Sequence, residues 1–200
     1  MRYLLILLLL STSFAFGQNH KADIAAYRQK YMADFLEDQS SPLKKEDLQY
    51  LRFYDADSTY KVVAKAQLVA NPATFVIPAF AGAGSEYVKY AVLNMTVQGK
   101  PVTLSVYRSP ALAKIPAYAD YLFLPFTDGT NGHETYGGGR YIDLREGDFK
   151  NGTVVIDFNK AYNPYCAFAG GYSCPKPPDE NQLQVAIAAG EKKYAKEVGH

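Results

Sequence analysis

The sequence predicts a mainly β domain, an antiparallel barrel or two-layer sandwich with N-terminal helices and a Pro-rich C-terminal strap. Three observations predict it. At least six short β-type runs lie between residues 60 and 158, joined by turns too short for crossover helices. One apolar stripe at helical period precedes them, and four prolines punctuate the chain after residue 159. With 200 residues, 48% of them hydrophobic and 20% charged, the chain fits one globular domain and is neither disordered nor fibrous. A net charge of +1 argues against nucleic acid or anionic lipid as partner, since such proteins concentrate positive charge.

The elements follow in order. Met1-Arg2, an apolar run from Tyr3 to Leu10 and the small residues Ala15 and Gly17 have the layout of a signal peptide over residues 1–17. The apolar run falls short of the ~20 residues that cross a bilayer. No Cys follows the cleavage point, so a soluble, periplasmic or secreted chain beginning at Gln18 is expected, with no membrane attachment after cleavage. Over residues 18–200 a single domain is predicted: helical at 20–52, β at 60–158, strap and tail at 159–200. Ile24, Tyr27, Tyr31, Phe35 and Leu36 make the helical stripe. Ser41 and Pro42 suit the cap and first turn of a second short helix contacting through Leu43, Leu48 and Leu51.

β-type runs then occupy residues 60–70, 74–77, 87–97, 101–107, 121–126, 140–144 and 154–158. Gln98-Gly99-Lys100 reads as a hairpin turn, and Asn151-Gly152 as another turn. Pro164, Pro175, Pro177 and Pro178 make the following segment an irregular strap. Beyond it Leu183, Val185 and Ile187 alternate as in an extended piece, while residues 186–195 could equally wind into helix.

Cys166 and Cys174 have seven residues between them. In an oxidising compartment such a pair reads first as a structural disulfide, next as reactive thiols and last as a metal site. Their spacing is not C-x-x-C and no His lies within ten residues of either, so no metal is expected. No cofactor motif is present either.

Polar residues of catalytic type crowd one stretch. Asp128, Glu134, Asp157 and Glu180 are the candidate acids and bases; Tyr136, Arg140, Asp157, Asn159, Tyr162 and Asn163 are the candidate ligand contacts. Arg140 could hold an anionic group in its fork, beside a Gly137-Gly138-Gly139 run whose N–H groups could form an anion nest. The plain alternative is a turn between strands with Arg140 paired to an acidic side chain. His133 next to Glu134 could move a proton, although a loop histidine is more often merely solvated. Neither H-E-x-x-H nor G-x-S-x-G occurs. Two functions remain open: a small polar or anionic molecule bound or acted on at this cluster, or a structural or interaction module in which the cluster is a buried hydrogen-bonded latch. A protein partner is not specified.

Several blocks together resemble a known family. Glu134-Thr135-Tyr136-Gly137-Gly138-Gly139-Arg140-Tyr141 is one, and Asp157-Phe158-Asn159-Lys160-Ala161-Tyr162-Asn163-Pro164 with Cys166 is the next. Cys174-Pro175-Lys176-Pro177-Pro178, Asn181-Gln182-Leu183 and Ala189-Gly190-Glu191 complete the series. Ser41-Pro42-Leu43 and Pro125-Phe126-Thr127-Asp128 are similar as well. These blocks, spread over nearly the whole mature chain, resemble domain-of-unknown-function family 1684 (DUF1684), uncharacterised bacterial proteins. The chain departs from the pattern at Tyr165 and Gln184, where Pro is expected, and at Lys176, where an apolar residue is expected. The resemblance implies no activity, substrate or cofactor; its motif positions coincide with the polar cluster reached from residue types.

Overall fold

The computed structural model describes residues 19–196, so the signal peptide expected over residues 1–17 lies outside the described residues. Helix α1 (Arg2–Glu37) leads the chain, and its described part begins at Asn19. Its stripe folds as the spacing predicts: Ile24 and Phe35 are buried, while Tyr27 and Tyr31 are half-buried. The second helix is a correction. A short 3-10 helix forms over Lys45–Tyr50 rather than from Pro42, after a local turn in which Ser41 Oγ accepts from Leu43 N (3.1 Å), and Leu43, Leu48 and Leu51 make the expected contacts.

Among the described residues seven strands follow: β1 (Lys61–Leu68), β2 (Thr74–Ile77), β3 (Ser85–Val97), β4 (Lys100–Arg108), β5 (Tyr121–Phe126), β6 (Arg140–Arg145) and β7 (Thr153–Asp157). All pair antiparallel in one sheet of order β6-β5-β4-β3-β1-β7, with β2 added beside β3. The sheet curls into a half-barrel. The β3–β4 hairpin turns at Gln98 and Gly99, both at positive φ (50° and 75°), the geometry that matches strand twist in a two-residue loop.

Alternation gives the strands two working faces. Leu122, Leu124 and Phe126 of β5, with Ile142 and Leu144 of β6, enter the main core; Tyr121 and Phe123 of β5, with Tyr141 of β6, pack on the opposite face against Tyr87 and Tyr107. The half-barrel leaves its core open, and the C-terminal strap fills it. Leu183, Val185, Ile187 and Ala189 are buried in that core, while Gln182, Gln184, Ala186 and Ala188 between them are exposed. The tail is therefore extended, and of the two conformations open to residues 186–195, helix is absent. A third cluster joins Phe35 of α1 to Leu43, Leu51, Phe168 and Tyr194, pinning helix and strap together.

Candidate functional site

The sequence-predicted cluster divides into a closed part and an open part, and β6 separates them. Arg140 shares the core-facing side of the strand with Ile142 and Leu144, and none of its surface reaches solvent. Its Nη2 donates to Asp128 Oδ2 (2.8 Å) and to the Ile187 carbonyl (2.9 Å). Its Nη1 donates to the carbonyls of Ala189 and Glu191. Asp128 Oδ1 in turn accepts from Thr130 N, Thr130 Oγ1 and Ile187 N at 2.8, 2.7 and 3.1 Å. Both charges are thus surrounded by partners, as buried ions must be, and the pair ties the strap to the β5–β6 connection. Arg140 Nε has no partner, but with none of its surface reaching solvent the guanidinium is closed to a ligand.

The glycine run serves the same packing. Gly139 N donates to Tyr136 O (3.2 Å), so it is not part of an anion nest. A Cβ on Gly139 would meet Phe126 O at 2.7 Å. Gly190 has φ +80° and lies so close to the sheet end that a Cβ would meet Ala161 O at 2.6 Å.

Asn181 closes a gap in the sheet. Pro125 sits in β5, between two other strands, where it has no N–H to donate. Fully buried, Asn181 supplies that donor: Nδ2 gives to Ser105 O (2.8 Å) and Pro125 O (2.6 Å), while Oδ1 accepts from Ser105 N (2.7 Å).

Further candidates are also engaged within the protein, with Asn163 Oδ1 buried and unpartnered. Asn159 clamps the Asp57 backbone through both side-chain atoms (2.9 and 2.8 Å) and donates to Asp157 Oδ1 (2.8 Å). His20 Nδ1 lies 3.8 Å from Asp157 Oδ2. Asn163 donates from its backbone to Glu191 Oε2 (2.8 Å) and from Nδ2 to Lys192 O (2.8 Å). Glu180 accepts from Lys89 (2.6 Å) and from the Tyr107 hydroxyl (2.5 Å). Burial works to raise its carboxyl, but those two donors outweigh it and hold the carboxyl below its ordinary range. Glu134 is exposed and accepts from Tyr54 (2.8 Å); His133 is exposed beside it. The half-buried Tyr136 packs edge-on against Phe80. The candidate acids Asp128, Glu134, Asp157 and Glu180 therefore do not converge on one point.

Two candidates reach open cavities: Asp157 lines one of about 420 Å³ with Asp143 and Lys160, and Tyr162 lines another. Its hydroxyl donates to Asp143 Oδ1 (2.6 Å), and the Tyr121 hydroxyl donates to the same oxygen (2.7 Å). Asp143 points to the face of β6 opposite Arg140, onto the wall of a cavity of about 620 Å³ between α1, β6 and the strap. Tyr27, Tyr31, Tyr141, Tyr162, Tyr165 and Tyr172 are among its lining residues, with Lys30, Asp34 and Lys160 as further charged groups. Asp143 keeps solvent access there, yet protein atoms crowd it. That desolvation raises its carboxyl above the ordinary range despite the opposing hydrogen bonds from Tyr162 and Tyr121 and the charge of Arg145. No cation pairs with it among the described residues, and Oδ2 has no hydrogen-bond partner there. Those residues contain no group of three or more His, Cys, Asp or Glu able to hold a metal ion.

Sequence reasoning passed over Asp143, Tyr121, Tyr27 and Tyr31. In the sequence Asp143 alternates outward between Ile142 and Leu144 like any solvated strand residue, and the helix tyrosines read as core. Only the position of α1 makes them one site. Cys166 and Cys174 form a disulfide (Cα–Cα 6.2 Å) in the strap, and Cys174 lines the same cavity.

The architecture defines a class: an antiparallel half-barrel whose open core is filled by its own C-terminal strap and locked by a buried Arg–Asp pair. The sequence profile of "Protein of unknown function (DUF1684)" matches residues 46–192, and the chain belongs to that family. It is also similar to the solution NMR structure of an uncharacterised protein of Haloarcula marismortui, at 30% identity and a TM-score of 0.67, covering 88% of this chain and 95% of that one. No curated protein matches.

Proposed function

We propose that the protein is exported and binds a small molecule in the tyrosine-lined cavity, with Asp143 as the polar anchor. One observation carries the reading: a carboxylate whose Oδ1 is fixed by two tyrosine hydroxyls, and whose Oδ2 has no partner among the described residues, sits on the wall of a cavity of ligand size. The site departs from a ligand fork at Arg140, because that group is consumed inside the protein. Tyr162 remains a ligand contact from the polar cluster; Arg140, Asn163 and Asn181 act as the latch that holds the strap.

Export is supported by the disulfide, which persists in oxidising compartments. It is also supported by the signal-like residues 1–17. Among the described residues no helix is long and apolar enough to cross a membrane.

The test is a thermal-shift screen of a broad small-molecule library on the wild type and on Ser173→Trp, which places a bulky ring at an exposed position on the cavity's lining. Compounds that stabilise only the wild type are expected. A library with no stabilising compound, or compounds that stabilise both proteins equally, would overturn the reading.

A further inference from the structure

The tyrosines of the cavity spend their hydroxyl protons inside the protein. Tyr27 donates to Lys160 O (3.1 Å), Tyr31 to Glu191 Oε2 (2.9 Å), Tyr165 to Asp38 Oδ2 (2.7 Å) and Tyr172 to Ser40 O (2.7 Å). Tyr141 donates to Pro175 O, and Tyr162 to Asp143. What these rings offer a ligand is therefore carbon surface, π faces and acceptor lone pairs. The anchoring group is an acceptor too, since Asp143 Oδ2 is unpartnered among the described residues. Apart from the Lys160 ammonium, the lining is rich in acceptors and poor in free donors, and such a lining selects a ligand that brings donors.

Charge narrows the class further. Asp143 has no ion-pair partner within 4 Å among the described residues, whereas the neighbouring Asp34 is neutralised by Lys30 at 2.7 Å and Arg145 by Asp120 at 2.7 Å. A ligand hydroxyl would satisfy the geometry of Oδ2 and leave its charge uncompensated. An ammonium group satisfies both, through a charge-assisted hydrogen bond, and is attracted to the tyrosine faces as well. Resting on the binding reading above, we infer that the cavity takes an organic amine: a protonated ammonium on Asp143 Oδ2, with an apolar body against the tyrosine rings. The exposed Lys160 lines the same cavity with its ammonium over the Tyr27 ring (5.3 Å), and opposes a second cation.

The experiment is titration calorimetry at pH 7 on the mature chain with three probes of one shape: cyclohexylmethylamine, cyclohexylmethanol and cyclohexanecarboxylate. The amine is expected to bind at least about tenfold more tightly than the alcohol, the difference between a charge-assisted and a neutral hydrogen bond. No heat is expected from the carboxylate. Asp143→Asn should weaken the amine by about tenfold and leave the alcohol unchanged. Lys160→Gln, a surface change that does not threaten the fold, should tighten the amine about twofold. Equal binding of amine and alcohol, both lost in Ser173→Trp, would overturn the ammonium assignment and leave the cavity as a site for neutral molecules. Tighter binding of the carboxylate would overturn it in favour of an anion held by Lys160. If none of the three binds, the amine assignment fails, while the library screen decides the binding reading independently.

Discussion

Arg140 and Asp143 stand three positions apart on one strand and have opposite surroundings. The arginine meets a carboxylate and three strap carbonyls and is wholly enclosed. The aspartate meets two tyrosine hydroxyls on one oxygen, and its other oxygen faces a cavity. An odd separation on a strand sends two side chains to opposite faces, so a single short element serves both a lock and an opening. The difference teaches how to separate structural from functional polarity: a buried charge with all its partners inside the protein holds the fold, and a crowded charge with a free oxygen is available for chemistry.

The largest expected effect is on the closed side. Arg140→Ala removes the only cation paired with the buried Asp128 among the described residues and should cost about 3–5 kcal/mol, or abolish folding. Replacing both partners with apolar residues, as in Arg140→Met with Asp128→Leu, should recover part of that loss in urea denaturation. A cost of Arg140→Ala below about 1 kcal/mol would break the comparison.

Next is the disulfide, which borders both regions because its strap carries the latch residues and its Cys174 lines the cavity. Reduction should lower stability by about 2–3 kcal/mol for so short a loop, seen as a lower melting temperature. Thiol titration of the native protein should find no free cysteine; two reactive thiols would contradict it.

Glu191 sharpens the comparison through pH. It is fully buried, and burial raises its carboxyl to about 8 against the Asn163 N–H, the Tyr31 hydroxyl and the charge of Arg140, the groups that face it from the strap, α1 and β6. The folded protein therefore holds a proton that the unfolded chain releases near pH 4.5. Stability from this group is full below that pH, declines as pH rises toward 8, and is flat above it. Glu191→Gln should flatten that decline and leave the variant more stable than wild type at pH 8.5, measured by urea denaturation across pH. A wild-type curve that stays level from pH 5 to 8 would contradict it.

The smallest effects belong to the open side. Tyr162→Phe deletes one of two donors to an accessible carboxylate and should cost no more than about 1.5 kcal/mol. Outside both regions, Glu134→Ala at an exposed side chain should stay within about 0.5 kcal/mol, read from the same urea curves.

Much of the fold was written in local patterns. The alternation in residues 121–126 and 140–144 gave the strands, Gln98-Gly99 gave the hairpin, and the helical stripe gave α1 with its buried Ile24 and Phe35. The Ser41-Pro42 cap misled because a serine can satisfy its own turn as readily as it can start a helix. The polar cluster was legible as a concentration of residue types, and its division was not. Whether Arg140 meets a ligand or the Asp128 carboxylate depends on a strap more than forty residues further along the chain, which no local pattern specifies.

By itself, the sequence determined the strands, the turns, the strap and the cysteine pair, because periodicity, turn chemistry and proline act over a few neighbouring residues. Tertiary structure alone decided that the strap enters the half-barrel, that Asn181 supplies the donor Pro125 lacks, and that α1 brings Tyr27 and Tyr31 over Asp143. Those contacts join residues 47 to 160 positions apart, and at such separations the partner of a polar group is set by the packing of whole elements rather than by its neighbours in the chain.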